Sequence, residues 1–139
     1  QRQMCIRDRN IKNYMVVTFD LNNLKMCNDN YGHSSGDAYI IHSAHIIETT
    51  FDRFGKCYRI GGDEFCCLIP DAAEFQIERF IQKMQQDIAI LNNKNIIPTE
   101  VGIACGYALA TPDDADIEKV RERADEMMYH NKKVLKGLI

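Results

Sequence analysis

The feature that most constrains the fold is the segment YMVVTFD at residues 14–20. It is rich in β-branched and aromatic residues, and it is apolar at both odd and even positions before it ends at Asp20. Successive side chains of a strand point to opposite faces of a sheet, so a strand of this kind is covered on both sides. The segment therefore predicts a central strand with packed layers above and below it.

A second pair of strands is predicted at residues 56–60 and 64–69, which form a hairpin. They are joined through the turn 61–63, Gly-Gly-Asp, and tight turns of this length commonly need glycine. The turn accounts for the glycines, but it does not account for the adjacent acids Asp63 and Glu64.

Residues 101–109 alternate large and small side chains, which predicts another strand. The large residues, all on one face, are Val101, Ile103, Cys105, Tyr107 and Leu109. The opposite face carries only glycine and alanine, so a helix or another backbone can approach it closely.

Apolar residues at helical spacing predict amphipathic helices over about 37–50, 73–91 and 115–133. The first of these includes Ile41 on its apolar face and begins after Gly36, which is interpreted as a break. A shorter helix is predicted around residues 22–28, and the acids of TPDDAD suit the start of the last helix.

The predicted order is strand, helix, hairpin, helix, strand, helix. This order favours an α+β fold with a central antiparallel sheet and helices packed against it. The chain of 139 residues is the size of one ordinary domain, and it contains no internal repeat.

Composition excludes several classes of protein. The formal net charge of −3 and the lack of an arginine-rich face argue against nucleic-acid binding. No apolar run approaches the ~18 residues of a membrane span. The six cysteines form no C-x-x-C pair, which argues against a zinc ribbon and favours reduced thiols in the cytoplasm.

Three acids are expected to meet at one edge of the sheet. If the hairpin pairs with the first strand, Asp20 lies opposite Asp63 and Glu64. Carboxylates this close repel each other, and a divalent cation relieves the repulsion. A small set of hard oxygen ligands suits Mg²⁺, so the pattern favours a magnesium site over a solvated surface turn.

Three motifs in this chain, FDLNNLKMCNDNYGHSSGD, RIGGDEF and ADEMMYHNKK, occur in one fixed order. Together they resemble the GGDEF domain of diguanylate cyclases, with a match over about residues 14–136. The resemblance implies a fold like the palm of nucleotide cyclases. It also implies a role in bacterial signal transduction, in which two GTP molecules are condensed into cyclic di-GMP with release of two pyrophosphates. Each domain would hold one GTP, and two domains would face each other in a homodimer.

The same resemblance implies roles for individual residues. Two Mg²⁺ (or Mn²⁺) ions per site would bind the carboxylates of Asp20, Asp63 and Glu64 and the backbone carbonyl of Leu21. Asp63 would also act as the base for the 3′-hydroxyl. Lys25 would stabilise charge in the transition state, and Asn28, His33 and Asp37 would bind guanine. Lys132 and Lys136 would bind the phosphates. Gly61 and Gly62 would let the backbone approach the substrate closely.

Residues 1–9 do not resemble the family and are interpreted as foreign sequence or the remnant of a truncation. Residues 10–139 are interpreted as one domain that lacks part of the family's N-terminal helix and C-terminal strand. A sensory or dimerising region is expected in the full-length protein. The family's product-inhibition motif, Arg-x-x-Asp, is replaced here by residues 52–55, Asp-Arg-Phe-Gly, which predicts that feedback inhibition is lost.

Two other functions fit the motifs. The domain could be catalytically silent and bind GTP or a partner as a regulatory module, although intact Asp20, Asp63 and Glu64 favour an enzyme. It could also accept other purines, but a carboxylate at Asp37 favours guanine.

Overall fold

A computed structural model describes residues 13–137 of the protein. The expectation for residues 1–9 lies outside that range. In chain order the elements are β1 (Met15–Leu21), α1 (Leu24–Tyr31), α2 (His33–Phe51), β2 (Lys56–Arg59), β3 (Glu64–Ile69), α3 (Ile77–Asn93), β4 (Ile103–Leu109) and α4 (Ile117–Leu135). Within the described range, no helix combines the length and the apolar composition that crossing a lipid bilayer requires.

The four strands form one antiparallel sheet in the order β2-β3-β1-β4. The first strand is central, as predicted, and all seven of its residues are buried. It pairs with β3 on one side and with β4 on the other, so that Asp20 lies opposite both Glu64 and Ala104. The predicted α+β fold is confirmed.

Helices cover both faces of the sheet. On one face, α2 and α3 pack against Val17 and Phe19 of β1 and form the larger core. On the other face, Val120 and Ala124 of α4 pack against Val16 and form a smaller core. This arrangement explains why β1 is apolar at both odd and even positions, because its alternating side chains enter two different cores.

The bare face of β4 allows α4 to approach very closely. A Cβ atom added to Gly106 would lie 2.2 Å from the carbonyl oxygen of Ala124 and 2.3 Å from the backbone nitrogen of Met128. Both of these are backbone atoms of a helix, which cannot move aside as a side-chain tip can. The predicted close approach of a helix to this strand is confirmed.

The cysteines within the described range are free thiols. Cys66 and Cys67 enter opposite cores, as their adjacent positions on a strand require. The Sγ atom of Cys57 lies 3.5 Å from that of Cys67, its partner across the β2–β3 ladder. Burial raises the pKa values of Cys66, to about 12, and of Cys105, so both thiols stay protonated at neutral pH.

Two predictions for α2 were wrong. The helix begins at His33 rather than after Gly36, because Gly36 lies inside the helix and leaves room for the side chain of Asn28. The sequence predicts that Ile41 is buried, but its side chain is 65 % exposed, whereas Tyr39 is completely buried. The real buried face is therefore offset from the one that the isoleucines suggested.

The strand β4 begins at Ile103, two residues later than predicted, because a side chain takes over the pairing of Val101. The side-chain amide of Asn92, near the end of α3, donates to the carbonyl of Val101 and accepts from its N–H at 3.0 and 2.8 Å. The last helix starts as predicted with an acidic cap, since the carboxylate of Asp116 accepts a hydrogen bond from the backbone of Lys119.

Candidate active site

The strand pairing brings the backbones of the three predicted acids to one corner of the sheet, where β1 ends and β3 begins. Asp20 is the register partner of Glu64, and the N–H of Leu21 donates to the carbonyl of Asp63 at 2.9 Å. The antiparallel pairing therefore fixes the backbone positions from which the three acidic side chains extend.

The electrostatics of this corner disfavour ionised carboxylates. Burial raises the pKa of Asp20, and the charge of Asp63 raises it further, while the hydrogen bond from Lys132 works in the opposite direction. Burial also raises the pKa of Glu64, together with the charges of Asp20 and Asp125. Such groups are stabilised by positive charge, so the corner is suited to binding cations.

Lys132 of α4 provides one positive charge. Its Nζ atom lies 3.0 Å from Oδ2 of Asp20, and the Asp20 side chain is only 7 % exposed. The other carboxylate oxygen, Oδ1, is buried and accepts no hydrogen bond. A buried acceptor without a partner is uncommon in folded proteins, and it leaves Asp20 able to bind one further electropositive group.

The residues at this corner fit a hard divalent cation by their chemistry. Across the described part of the chain, no three His, Cys, Asp or Glu side chains are already grouped to hold an ion. The unpartnered Oδ1 of Asp20 and the raised pKa of Glu64 are nevertheless the properties expected of carboxylates that need a cation.

The turn between β2 and β3 is held by Arg59 rather than by glycine geometry. The guanidinium group of Arg59 donates to the carbonyls of Gly61 and Gly62 at 3.1 and 2.9 Å. Of the glycines within residues 13–137, only Gly32 and Gly137 have positive φ. A Cβ at position 61 or 62 would meet nothing within 4 Å. The expectation that the turn needs these glycines was therefore wrong, and their effect is to leave an open backbone surface beside Asp63.

A second group of predicted residues lies at the start of α2. A Cβ atom on Gly36 would lie 1.6 Å from Oδ1 of Asn28, so the side-chain amide of Asn28 occupies the space above this glycine. Asp37 follows directly and is exposed, as is His33 at the first position of the helix. The close contact between α1 and α2 thus brings Asn28 beside the helical turn that carries Asp37.

The three predicted lysines lie at three different places, whereas the predicted acids lie at one corner of the sheet. Lys25 is exposed and pairs with Asp29 at 3.5 Å on the surface of α1, without a contact to the acids. Lys136 and the turn residues Asn22 and Asn23 line one open cavity of about 610 Å³. Of the lysines predicted for the site, only Lys132 contacts a predicted metal ligand.

The chain matches the family profile described as "Diguanylate cyclase, GGDEF domain" over residues 1–136. The chain belongs to the GGDEF family. This match confirms the resemblance drawn from the three motifs.

Relatives of known description support this assignment. The GGDEF chain is 31 % identical over 123 residues to diguanylate cyclase DgcN of Escherichia coli, covering 87 % of this chain and 30 % of DgcN. It is 32 % identical over 134 residues to the bifunctional diguanylate cyclase/cyclic di-GMP phosphodiesterase MucR of Pseudomonas aeruginosa, covering 94 % of this chain and 19 % of MucR. The chain therefore spans less than a third of the length of either relative.

Solved structures confirm the fold. The GGDEF domain of DgcB from Caulobacter crescentus, solved with c-di-GMP, has a TM-score of 0.76 at 23 % identity and covers 86 % of this chain and 72 % of its own. The active GGEEF domain of a diguanylate cyclase from Vibrio cholerae has a TM-score of 0.74 at 22 % identity, with 91 % and 80 % covered. The cyclase palm-like architecture predicted for this chain is thus shown.

Proposed function

We propose that this GGDEF domain is an active diguanylate cyclase that condenses two GTP molecules into cyclic di-GMP and releases two pyrophosphates. The observation that carries the proposal is the meeting of Asp20 with Glu64 across the β1–β3 ladder, with Asp63 adjacent. A silent domain has no need to hold repelling acids together against the free energy that this costs.

The metal site would use the carboxylates of Asp20, Asp63 and Glu64 and the backbone carbonyl of Leu21. Two Mg²⁺ (or Mn²⁺) ions bound there would neutralise phosphate charge during the transfer. The unpartnered Oδ1 of Asp20 supports its part in this set.

The protein's own residues would position the reacting groups. Asp63 lies on the signature turn beside the open backbone of Gly61 and Gly62, where it can accept the proton of a 3′-hydroxyl. Lys132 and Lys136 would bind the phosphates. Lys25 would stabilise charge in the transition state, and its exposed pair with Asp29 restrains it little, since such pairs contribute only about 0–1 kcal/mol.

Guanine would be recognised at the contact between α1 and α2. The base offers N1–H and N2–H donors, for which the exposed carboxylate of Asp37 is a suitable acceptor. Asn28, held against Gly36, would read the same edge of the base, and His33 lies on the adjoining turn.

The product contains two guanylate units, and one site binds one GTP, so the active form would be a homodimer with the two sites facing each other. We place this domain at residues 10–139 and in the cytoplasm, where GTP is available. In the full-length protein, an attached sensory or dimerising region would control the encounter of the two domains.

The decisive experiment is to incubate the purified chain, fused to a dimerising coiled coil, with GTP and Mg²⁺ and to identify the products by mass spectrometry. Cyclic di-GMP and pyrophosphate in a 1:2 ratio would support the proposal. GTP binding without turnover in the enforced dimer would contradict it and would leave the silent regulatory module.

We also propose that the enzyme lacks product inhibition through the family's Arg-x-x-Asp position. Gly55 stands where that motif has its aspartate, and a Cβ there would lie 2.0 Å from the backbone carbonyl oxygen of Leu68. No side chain fits at this position while β3 keeps its course. The close contact between residue 55 and β3 therefore requires glycine where the family motif has aspartate.

We expect that adding cyclic di-GMP to micromolar concentrations leaves the initial rate of GTP turnover unchanged. The double variant D52R/G55D, which restores the motif in sequence, should be less stable and still uninhibited, because the new carboxylate side chain has no space beside Leu68. A concentration-dependent fall in rate that is abolished by Arg53→Ala or Asp52→Ala would contradict this prediction.

A further inference from the structure

The side chain of Tyr39 connects α2 to the backbone at two places, just after β1 and just before β4. The residue is completely buried, and its hydroxyl donates to the carbonyl of Asn22 at 2.6 Å. The same hydroxyl oxygen accepts the N–H of Gly102 at 3.0 Å. Asn22 and Gly102 are also joined directly, since the N–H of Asn22 donates to the carbonyl of Gly102 at 2.8 Å.

The turn at Asn22 and Asn23 has little local support of its own. Asn23 is a non-glycine residue in the left-handed region, with φ 60° and ψ 26°. It precedes α1 without a side-chain capping hydrogen bond, so the helix start lacks its usual local restraint. A conformation of this kind persists when surrounding structure holds it. Two distant groups bond to Asn22: the backbone carbonyl of Gly102, and the hydroxyl of Tyr39, which is the side-chain contact from a helix.

This turn joins the two halves of the candidate site. The residues just before it are Asp20 and Leu21, and α1 just after it carries Lys25 and Asn28. A small rotation at the turn would move the second pair relative to the first. The direction of α1, and with it the place of Asn28 above Gly36, therefore depends on the turn.

We propose that Tyr39 is a positioning residue whose hydroxyl fixes the Asn22–Asn23 turn, and thereby sets the acids of β1 and the side chains of α1 in register for one nucleotide. The substrate in this statement rests on the proposed function, but the restraint on the turn does not. Phenylalanine would fill the same core space, so core packing alone does not explain a hydroxyl that would cost free energy to bury without partners. A tyrosine hydroxyl is a donor at neutral pH, and burial raises the pKa of Tyr39 further, to about 12.

The first test measures the turn directly, by amide hydrogen exchange of the metal-free chain. The wild-type amides of Asn22 and Gly102 should exchange as slowly as those of β1. In Tyr39→Phe they should exchange at least about tenfold faster, while amides of α3 keep their rates. Fast wild-type exchange at these amides, or unchanged rates in the variant, would overturn the proposal.

The matched control is Thr50→Val, which removes another buried hydroxyl from the same helix. Thr50 donates to the carbonyl of Ile46 at 2.7 Å, within α2 and remote in sequence from the turn. This variant should leave the exchange of Asn22 and Gly102 unchanged. Equal acceleration in both variants would mean that α2 is loosened as a whole, and it would overturn the specific role of Tyr39.

The second test uses turnover by the enforced dimer. Tyr39→Phe should lower kcat/KM for GTP about tenfold, and the magnesium concentration at half-maximal rate should rise, whereas Thr50→Val should change neither. Unchanged constants in Tyr39→Phe would overturn the positioning role. If the wild-type chain has no turnover, the proposed function fails, and hydrogen exchange still decides whether Tyr39 restrains the turn.

Discussion

Asp63→Ala should lower cyclic di-GMP formation at least about a hundredfold, since loss of even an outer partner of a metal site commonly costs 10–100-fold. The side chain of Asp63 is the proposed base and a proposed metal ligand. Its backbone carbonyl, which accepts the N–H of Leu21, remains in the variant. Product formation by the enforced dimer, followed by mass spectrometry, measures the loss.

The fold should survive this substitution and should even gain stability without metal. The charge of Asp63 helps to raise the pKa of Asp20. A carboxyl group whose pKa is higher in the folded state destabilises the fold when ionised, and this penalty disappears as the pH falls below its unfolded pKa. Asp63→Ala should therefore raise the free energy of unfolding at pH 7 and weaken its dependence on pH between 7 and 4.

Glu74→Ala is the matched control, because Glu74 is an exposed acid outside the site. It should change neither turnover nor the pH dependence of unfolding. Retention of wild-type turnover in Asp63→Ala would contradict the catalytic assignment. A stability loss equal to that of a core substitution would show that its side chain has a structural role.

The largest effect on stability is expected for Gly106→Ala. The added methyl group would overlap the backbone of α4 at Ala124 and Met128, so the helix must move away from β4. Overpacking of this kind costs about 1–3 kcal/mol, and the backbone contacts place this variant at the upper end, about 3 kcal/mol. Urea unfolding followed by circular dichroism measures the change.

Gly61→Ala is the matched control for this second prediction. It makes the same chemical change where a Cβ meets nothing within 4 Å. Its free energy of unfolding should stay within about 0.5 kcal/mol of wild type. Equal stability of Gly106→Ala and wild type would contradict the close packing of α4 on β4.

The sequence predicted the sheet well because its strands have strong and different patterns. The strand β1 is apolar on both faces, which requires packed layers on both sides of the sheet. The strand β4 carries only small residues on one face, which allows a helix to approach it closely. The boundaries of α2 were predicted less well. Gly36 behaves as a packing residue inside a helix rather than as a break, and that depends on Asn28, a residue of a different helix.

The candidate site also has some features that the sequence predicted and others that it did not. The meeting of Asp20 with Glu64 could be predicted, because it follows from which strands pair. The ion pair of Lys132 with Asp20 and the bridge of Tyr39 to Gly102 could not be derived from local patterns. These contacts join residues 112 and 63 positions apart, and side-chain geometry alone decides them. The anchoring of the turn by Arg59 had a signal in the arginine just before the glycines, but its partners are backbone carbonyls that no motif displays.

The open space around Gly61 and Gly62 has a consequence for how this domain evolves. Glycines at 55 and 106 are required by backbone contacts, so selection for folding alone retains them. A Cβ added at either signature glycine meets nothing within 4 Å, so the fold does not require glycine at these two positions. A descendant of this chain could lose its signature through neutral drift and keep its shape. Loss of the signature in such a descendant would therefore say nothing about the stability of its fold.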